Sequence, residues 1–357
     1  MLKPKDRNQS VSGYIQPAEW QIHDSCWLAW PSDATLWKEN LKPAQEEFTR
    51  LCRAIADVDP LTNQARGESL QILVPNETVR AEAEKVLQGL PVRFHLIPYG
   101  DIWLRDTAPI FLTHPSRPLA CASFRFNGWG EKYALPFDGQ VAERIAQTSA
   151  VQHLTYPWVL EGGSVEVDGL GTCLTTIQCL MNPNRNPGMT QKQVEEGLKE
   201  ALGLSQILWL NEGLLNDHTD GHIDTLARFV APGVVACMKS QGAGIDPNHL
   251  QLEAILKDLK QFTDAQGRKL QVVEIPSPGA VLSPEGELMP ASYMNFYIAN
   301  TTVVVPTYGS PMDEQAVQKI SELFPTRKTI GCSAYAILSG GGAFHCITQQ
   351  QPQVEIQ

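Results

Sequence analysis

"HIDTLARFVAPGVVACM", residues 222–238, sets two apolar runs on either side of Pro232-Gly233. A tight turn between two β-forming runs reads as strand, turn, strand. Downstream, "PNHLQLEAILKDLKQF" (247–262) places its apolar residues at helical spacing, and "LQVVEIP" (270–276) is a short apolar strand. The local unit is strand, strand, helix, strand.

The same unit recurs along the chain. "APIFLTHPSRPLACASFRF" (108–126) turns at a Pro/Ser cluster, "SVEVDGLGTCLTT" (164–176) at Asp168-Gly169, and "MNFYIANTTVVVP" (294–306) near Asn300. "TQKQVEEGLKEALGL" (190–204) precedes "QILWL" (206–210), and "MDEQAVQKISELFP" (312–325) precedes "KTIGCS" (328–333). Units begin after residues 106, 161, 222 and 295, while "CWLAWP" (26–31) and "AFHCITQQ" (343–350) supply one further hairpin between the two ends of the chain. Five α/β units predict a radial array closed by its own termini; the competing expectation is a generic α/β domain with hairpins.

The chain has 357 residues, 43% of them hydrophobic, enough for a large core in two domains or one repetitive one. No window approaches the apolar length of a membrane span, and "MLKPKDRNQSVSGY" (1–14) lacks the apolar middle of an export signal, so a cytoplasmic protein with no membrane partner is expected. The formal charge of -11 argues against nucleic acid and modestly favours a cationic ligand, although ordinary solubility explains it equally well. Eight cysteines are scattered without a CxxC pair or Cys/His ligand spacing, which predicts free thiols. Self-association into a homo-oligomer is left open.

The hairpin entrances carry, in order, Asp106, Glu161, His222 with Asp224, Asn295 and Cys346. In a radial arrangement these residues converge on one pocket. Together they form an inventory for attack by a thiol with an imidazole acid/base and several carboxylates. Each has a plainer alternative: an inert buried thiol for Cys346, a partner for Arg105 or a turn cap before Pro109 for Asp106, and a bulge for the two glycines after Glu161. Three glycines just before Cys346 would free the backbone to approach a ligand closely. A metal reading is available in "NDHTDGHIDTLARFV" (216–230), because on a strand His218, Asp220, His222 and Asp224 would face one way. A metal hydrolase has little use for a glycine-framed cysteine elsewhere, so neither a metal nor another cofactor is expected.

"WLRDTAP" (103–109), "RFNGWGEKY" (125–133), "EGGSVEVDG" (161–169), "NPNRNP" (182–187), "DGHIDTLARF" (220–229), "YMNFYIANTTVVVP" (293–306) and "GGGAFHCITQQQP" (340–352), in this order, resemble the agmatine deiminase family of the guanidino-group-modifying superfamily. "PAEWQIHDSCWLAWP" (17–31) is similar to the family's opening. The resemblance implies a pentein fold, a fivefold pseudosymmetric α/β propeller, with residues 1–357 as one catalytic domain. It implies hydrolysis of the guanidinium of agmatine, a small cationic substrate, to N-carbamoylputrescine and ammonia. It places the nucleophile on Cys346, the imidazole on His222, the guanidinium-holding carboxylates on Asp106 and Asp224, and a third carboxylate on Glu161. Trp103 would line the pocket, and Asp220 is taken as a further substrate-binding group.

A guanidinium is planar, delocalised and weakly electrophilic, so carboxylates must hold it by its N–H fork while the thiolate attacks its carbon. Glu161 is expected to orient His222 and keep it basic. The same carboxylates should hold the thiol protonated until a cation binds. Asp217 and His218 are read as supporting or tail-binding groups, or as exposed loop residues. The chain departs from the family pattern at Ala108 and Glu131, where glycine is usual, at Glu166, where histidine is common, and at Ala343, where asparagine is usual. Ala343 withdraws a side-chain amide near the nucleophile, and Glu131 is expected to add negative charge near the substrate tail. Free arginine, peptidyl arginine or methylated arginine as substrate, or a non-catalytic binder on the same scaffold, are the alternatives.

Overall fold

The structure, a computed structural model, describes residues 13–354. Residues 1–12, which hold most of the stretch read for an export signal, lie outside the described residues. Among the described residues no helix is long and apolar enough to cross a membrane.

Ala227–Ala231 and Val234–Lys239 form the hairpin read first, with Arg228 opposite Ala236 and Phe229 opposite Val235. Gly233 closes its turn at φ +74, a conformation that a Cβ disfavours. Helix His249–Leu259 then returns the chain so that Gln271–Pro276 pairs in parallel with the second hairpin strand. Three further sheets repeat this antiparallel-then-parallel design. They are built on Ile110–His114, Arg117–Arg125 and Gln152–Val159; on Glu166–Val167, Thr172–Thr176 and Gln206–Leu210; and on Tyr297–Ile298, Thr302–Thr307 and Lys328–Ser333.

The fifth sheet joins the two ends of the chain. Gln349–Pro352 pairs antiparallel with His23–Ala29, as the sequence predicts. Ser69–Val74 and Val92–Leu96 extend that sheet in parallel, so it has four strands and one more helical crossover, Glu77–Val86, than the repeat requires. The parallel central strands are covered on both faces, which is why they read as unbroken apolar runs: Val303, Val304 and Val305 are all fully buried. Burying each such side chain contributes about 1.5–3 kcal/mol.

The sheets matter to function because of what precedes their first strands. Asp106 lies in the turn of helix Leu104–Thr107 before Ile110, and Glu161 stands just before the 3-10 turn Gly162–Ser164. Asp224 lies within the 3-10 turn Ile223–Thr225 that His222 begins, Asn295 precedes Tyr297, and Cys346 precedes Gln349. Five segments of equivalent position, far apart in the chain, deliver the candidate residues.

Candidate active site

A cleft of about 510 Å³ is walled by Trp37, Trp103, Trp129 and Tyr133, with Asp106 and Cys346 in its lining. That is the size of a small-molecule site. Trp103 is fixed by its indole N–H, which donates to Asp101 Oδ2 (2.8 Å), while Trp37 donates to Asp101 Oδ1 (2.9 Å) and stacks on Trp103 at 6.1 Å. The glycines before Cys346 serve this packing. A Cβ on Gly340 would lie 2.8 Å from Trp103 and 2.9 Å from Trp37, and one on Gly342 would lie 2.8 Å from Trp103 and 3.0 Å from Cys346 Sγ. They make room for the aromatic wall and the thiol.

Asn295 holds Cys346 at two points: its Nδ2 donates to Sγ (3.0 Å), and its Oδ1 accepts the Cys346 amide (3.2 Å). The thiol in turn approaches Asp224 Oδ2 at 3.6 Å. Burial first, then the charges of Asp224 and Asp106, push the Cys346 thiol well above its usual range, against the Ala343 backbone amide and Asn295. Position 343 thus still supplies an amide to the sulfur, from the main chain.

Asp106 is not paired with Arg105. The Arg105 guanidinium turns away toward the His345 carbonyl (3.2 Å) and Glu19 (3.7 Å), and its backbone N–H binds the Cys346 carbonyl. Asp106 instead accepts from the Trp129 indole (2.8 Å) and the Gly163 amide (2.9 Å) and lies 3.8 Å from His222 Nδ1. Burial, followed by the charges of Asp224 and Glu161, raises its pKa to about 8. Asp224 moves the other way: burial opposes its ionisation, but the His345 hydrogen bond (2.7 Å) and the charges around it hold it below the usual carboxylate range. His222 is pushed down to about 3, chiefly by burial, so near neutrality it is uncharged and its approach to Asp106 is not an ion pair. At neutral pH the free site therefore presents a thiol, a neutral imidazole, a protonated Asp106 and an ionised Asp224.

Asp224 Oδ1 and both ring nitrogens of His222 are buried without a hydrogen-bond partner. Buried polar atoms left open in this way are costly and point to a ligand. Gly163 permits their convergence: a Cβ there would sit 2.6 Å from His222 Nδ1, 2.9 Å from Asp106 Oδ1 and 3.1 Å from Asp224 Oδ2. Gly163→Ala is expected to displace all three and lower kcat/KM by about 100-fold or more, the scale of an ångström's misplacement. Steady-state kinetics alongside a melting curve check this, because unchanged kcat/KM in the folded variant would show that the close approach has no role.

Several sequence expectations are corrected. The 216–222 segment is a turn, with Asp220 at φ +65 and Gly221 at φ +85, so its alternating acids and histidines do not share a face. Asp220 is not a cleft residue: Lys132 (2.6 Å), Arg185 (2.5 Å) and Asn184 (3.1 Å) occupy its carboxylate. His218 does line the cleft, stacked on Tyr133, whereas Asp217 folds back onto Thr219. Glu161 makes no hydrogen bond to His222; its Oε1 accepts from Arg185 Nε (2.8 Å), and its Oε2 is left without a partner. Glu131 is exposed and outside the cleft lining. Glu166, where the family pattern has histidine, is occupied by the buried Arg228 (2.9 Å) and the Phe229 amide (2.8 Å).

Sequence reasoning missed the supports. Arg228 joins Glu166 to Glu19, and Glu19 joins His345, which bonds Asp224. Arg185 ties Glu161 to the Thr219 carbonyl and Asp220. Arg185 and His345 sit inside "NPNRNP" and "AFHCITQQ", but nothing local in those strings announces partners tens or hundreds of residues away.

The fold and cleft place the chain among α/β proteins that gather a thiol, an imidazole and paired carboxylates around one small-ligand site. The profile of the Porphyromonas-type peptidyl-arginine deiminase family matches residues 15–352, and the chain belongs to this family. An agmatine deiminase of Stutzerimonas stutzeri (strain A1501) is 37% identical over 363 residues, spanning 95% of this chain and 96% of its own. The solved agmatine deiminase of Enterococcus faecalis is similar with a TM-score of 0.87 at 30% identity over 96% of both chains. A C. jejuni agmatine deiminase solved with substrate bound gives 0.84 at 28% identity, over 95% of this chain and 96% of the other.

Proposed function

We infer that the chain is an agmatine deiminase, hydrolysing the guanidinium of agmatine to N-carbamoylputrescine and ammonia through a covalent intermediate on Cys346. The observation that carries this is the set of open polar atoms, Asp224 Oδ1 and the His222 nitrogens, on an imidazole whose Nδ1 lies 3.8 Å from Asp106 and a carboxylate whose other oxygen lies 3.6 Å from the Cys346 sulfur. Asp106 and Asp224 hold the guanidinium N–H groups. The thiol proton passes to the neutral His222 as sulfur bonds to the guanidinium carbon, and His222 returns it to the departing nitrogen, which leaves as ammonia. His222 then takes a proton from water; the hydroxide adds to the same carbon, the C–S bond breaks, and the ureido product leaves with Cys346 again a thiol.

Agmatine fits better than an arginine residue or free arginine. The cleft lining carries Glu39, Glu285 and Glu287, with Lys38 as its one lysine or arginine, and an α-carboxylate would need more positive charge than that. The remaining features of the reading are a single domain with its five sheets set radially around the cleft, residence in the cytoplasm, and turnover without a metal. Ammonia release over a panel of guanidino compounds tests the assignment. Agmatine should exceed free and peptidyl arginine in kcat/KM by about 100-fold or more, since a misplaced charge leaves buried groups unpaired; a preference for either arginine form contradicts it.

The raised pKa of Asp106 fixes the sign of a pH effect. Free Asp106 holds its proton below about pH 8, and a bound guanidinium favours the carboxylate, so binding expels a proton. Agmatine affinity should therefore rise by up to about tenfold per pH unit between roughly pH 6 and pH 8, then level off. Calorimetry on Cys346→Ala in buffers of different ionisation enthalpy reads both affinity and proton release. A pH-independent affinity with no proton exchanged contradicts the assignment of Asp106.

A further inference from the structure

Outside the lining of the cleft, Glu161, Cys179 and His222 bring a carboxylate oxygen, a thiol sulfur and a ring nitrogen all within 4.8 Å of one another, each residue fully buried. Cys179 has no part in the chemistry derived above. It enters through the short helix Ile177–Leu180, which follows the strand Thr172–Thr176. The cluster keeps open ligand atoms: Glu161 Oε2, which the reaction does not use, has no hydrogen-bond partner although Arg185 occupies Oε1, and His222, whose nitrogens the reaction also needs, has none on either.

We propose that Glu161, Cys179 and His222 form an inhibitory site for a borderline-soft divalent cation, of which Zn2+ is the type, distinct from any requirement of the reaction. The donor set of one sulfur, one nitrogen and one oxygen selects Zn2+, Co2+ or Cd2+ over Mg2+ or Ca2+, which prefer all-oxygen shells. Ligand atoms around tetrahedral zinc lie about 3.3–3.8 Å apart, so a contraction of about an ångström completes the site, with water as the fourth ligand. Binding replaces the Cys179 S–H bond with a sulfur–metal bond and releases that proton to solvent; no electron changes hands. Thiolate and carboxylate balance the ion's charge, while the nearby Arg185 cation weakens the site. The bound metal occupies a nitrogen of the imidazole that must shuttle the proton, so the effect on turnover is inhibition.

Cobalt binding to Cys346→Ala tests the site independently of turnover, and therefore of the proposed reaction. The expected result is a near-ultraviolet thiolate-to-cobalt charge-transfer band that disappears in Cys346→Ala/Cys179→Ala and is displaced by Zn2+. In protein with Cys346 intact, Zn2+ should inhibit reversibly and chelator should restore, never lower, activity. Cys179→Ala and Cys179→Ser should keep their basal activity and need about tenfold or more Zn2+ for the same inhibition, the scale on which a lost ligand weakens a site. No charge-transfer band in Cys346→Ala, no inhibition of the intact protein, or equal inhibition of the Cys179 variants overturns the proposal.

Discussion

Cys346→Ala is expected to bind agmatine with nearly unchanged affinity and to release ammonia at least about 10⁴-fold more slowly. The sulfur forms and breaks the one covalent bond that divides the reaction, and nothing else among the groups at the cleft can replace it. The carboxylates and the aromatic wall are untouched by the substitution, since Asn295 and the Trp103 packing approach Cys346 without depending on its ionisation. Equilibrium binding and single-turnover ammonia release, measured on the same sample, separate the two effects. A loss of binding that accounts for the whole loss of rate would make Cys346 a structural residue and leave the nucleophile elsewhere.

Asp224→Asn should move two readouts in opposite directions. Asp224 is the carboxylate held ionised in the free site, 3.6 Å from the sulfur, and its charge is among the causes of the raised thiol pKa. Neutralising it removes half of the guanidinium grip and should lower kcat/KM for agmatine by about 10³-fold, the cost of a lost buried charge pair. It also removes a negative charge from beside the thiol, so neutral iodoacetamide should alkylate Cys346 faster than in the unaltered protein. Asp106→Asn should share the first effect and show little of the second below about pH 8, because Asp106 already carries its proton there. Cationic haloamidines should inactivate the unaltered protein far faster than iodoacetamide, and this preference should shrink in Asp224→Asn. A neutral-reagent titration with a pKa well below 7 would instead reveal a thiolate present before the substrate arrives.

The parts of the molecule governed by local periodicity were legible in its sequence. Alternation and turn residues gave the hairpins, and helical spacing gave the returning helices; the pairing of Gln349–Pro352 with His23–Ala29 followed from the unpaired runs at the two ends. The candidate residues could be picked out because they occupy one repeated place, just before a hairpin strand of each sheet. What failed was local inference without a backbone. Asp220 was grouped with His222 and Asp224 by spacing, but positive φ at Asp220 and Gly221 turns it toward Lys132 and Arg185. The supports were invisible for a different reason: Glu19 meets Arg228 across 209 residues and His345 across 326. Pairings of that separation are set by the packing of whole sheets. For Gly163 the sequence offers a bulge only as the plainer alternative; its contacts show that it lets His222, Asp106 and Asp224 close on one point.

The central claim is that agmatine is hydrolysed through a bond to Cys346, and mass spectrometry of protein quenched during turnover tests it most directly. The account predicts an adduct equal to agmatine minus ammonia, carried by the peptide that contains Cys346 and absent from Cys346→Ala. Full turnover by Cys346→Ala, or the same adduct on another of the eight cysteines, would contradict it.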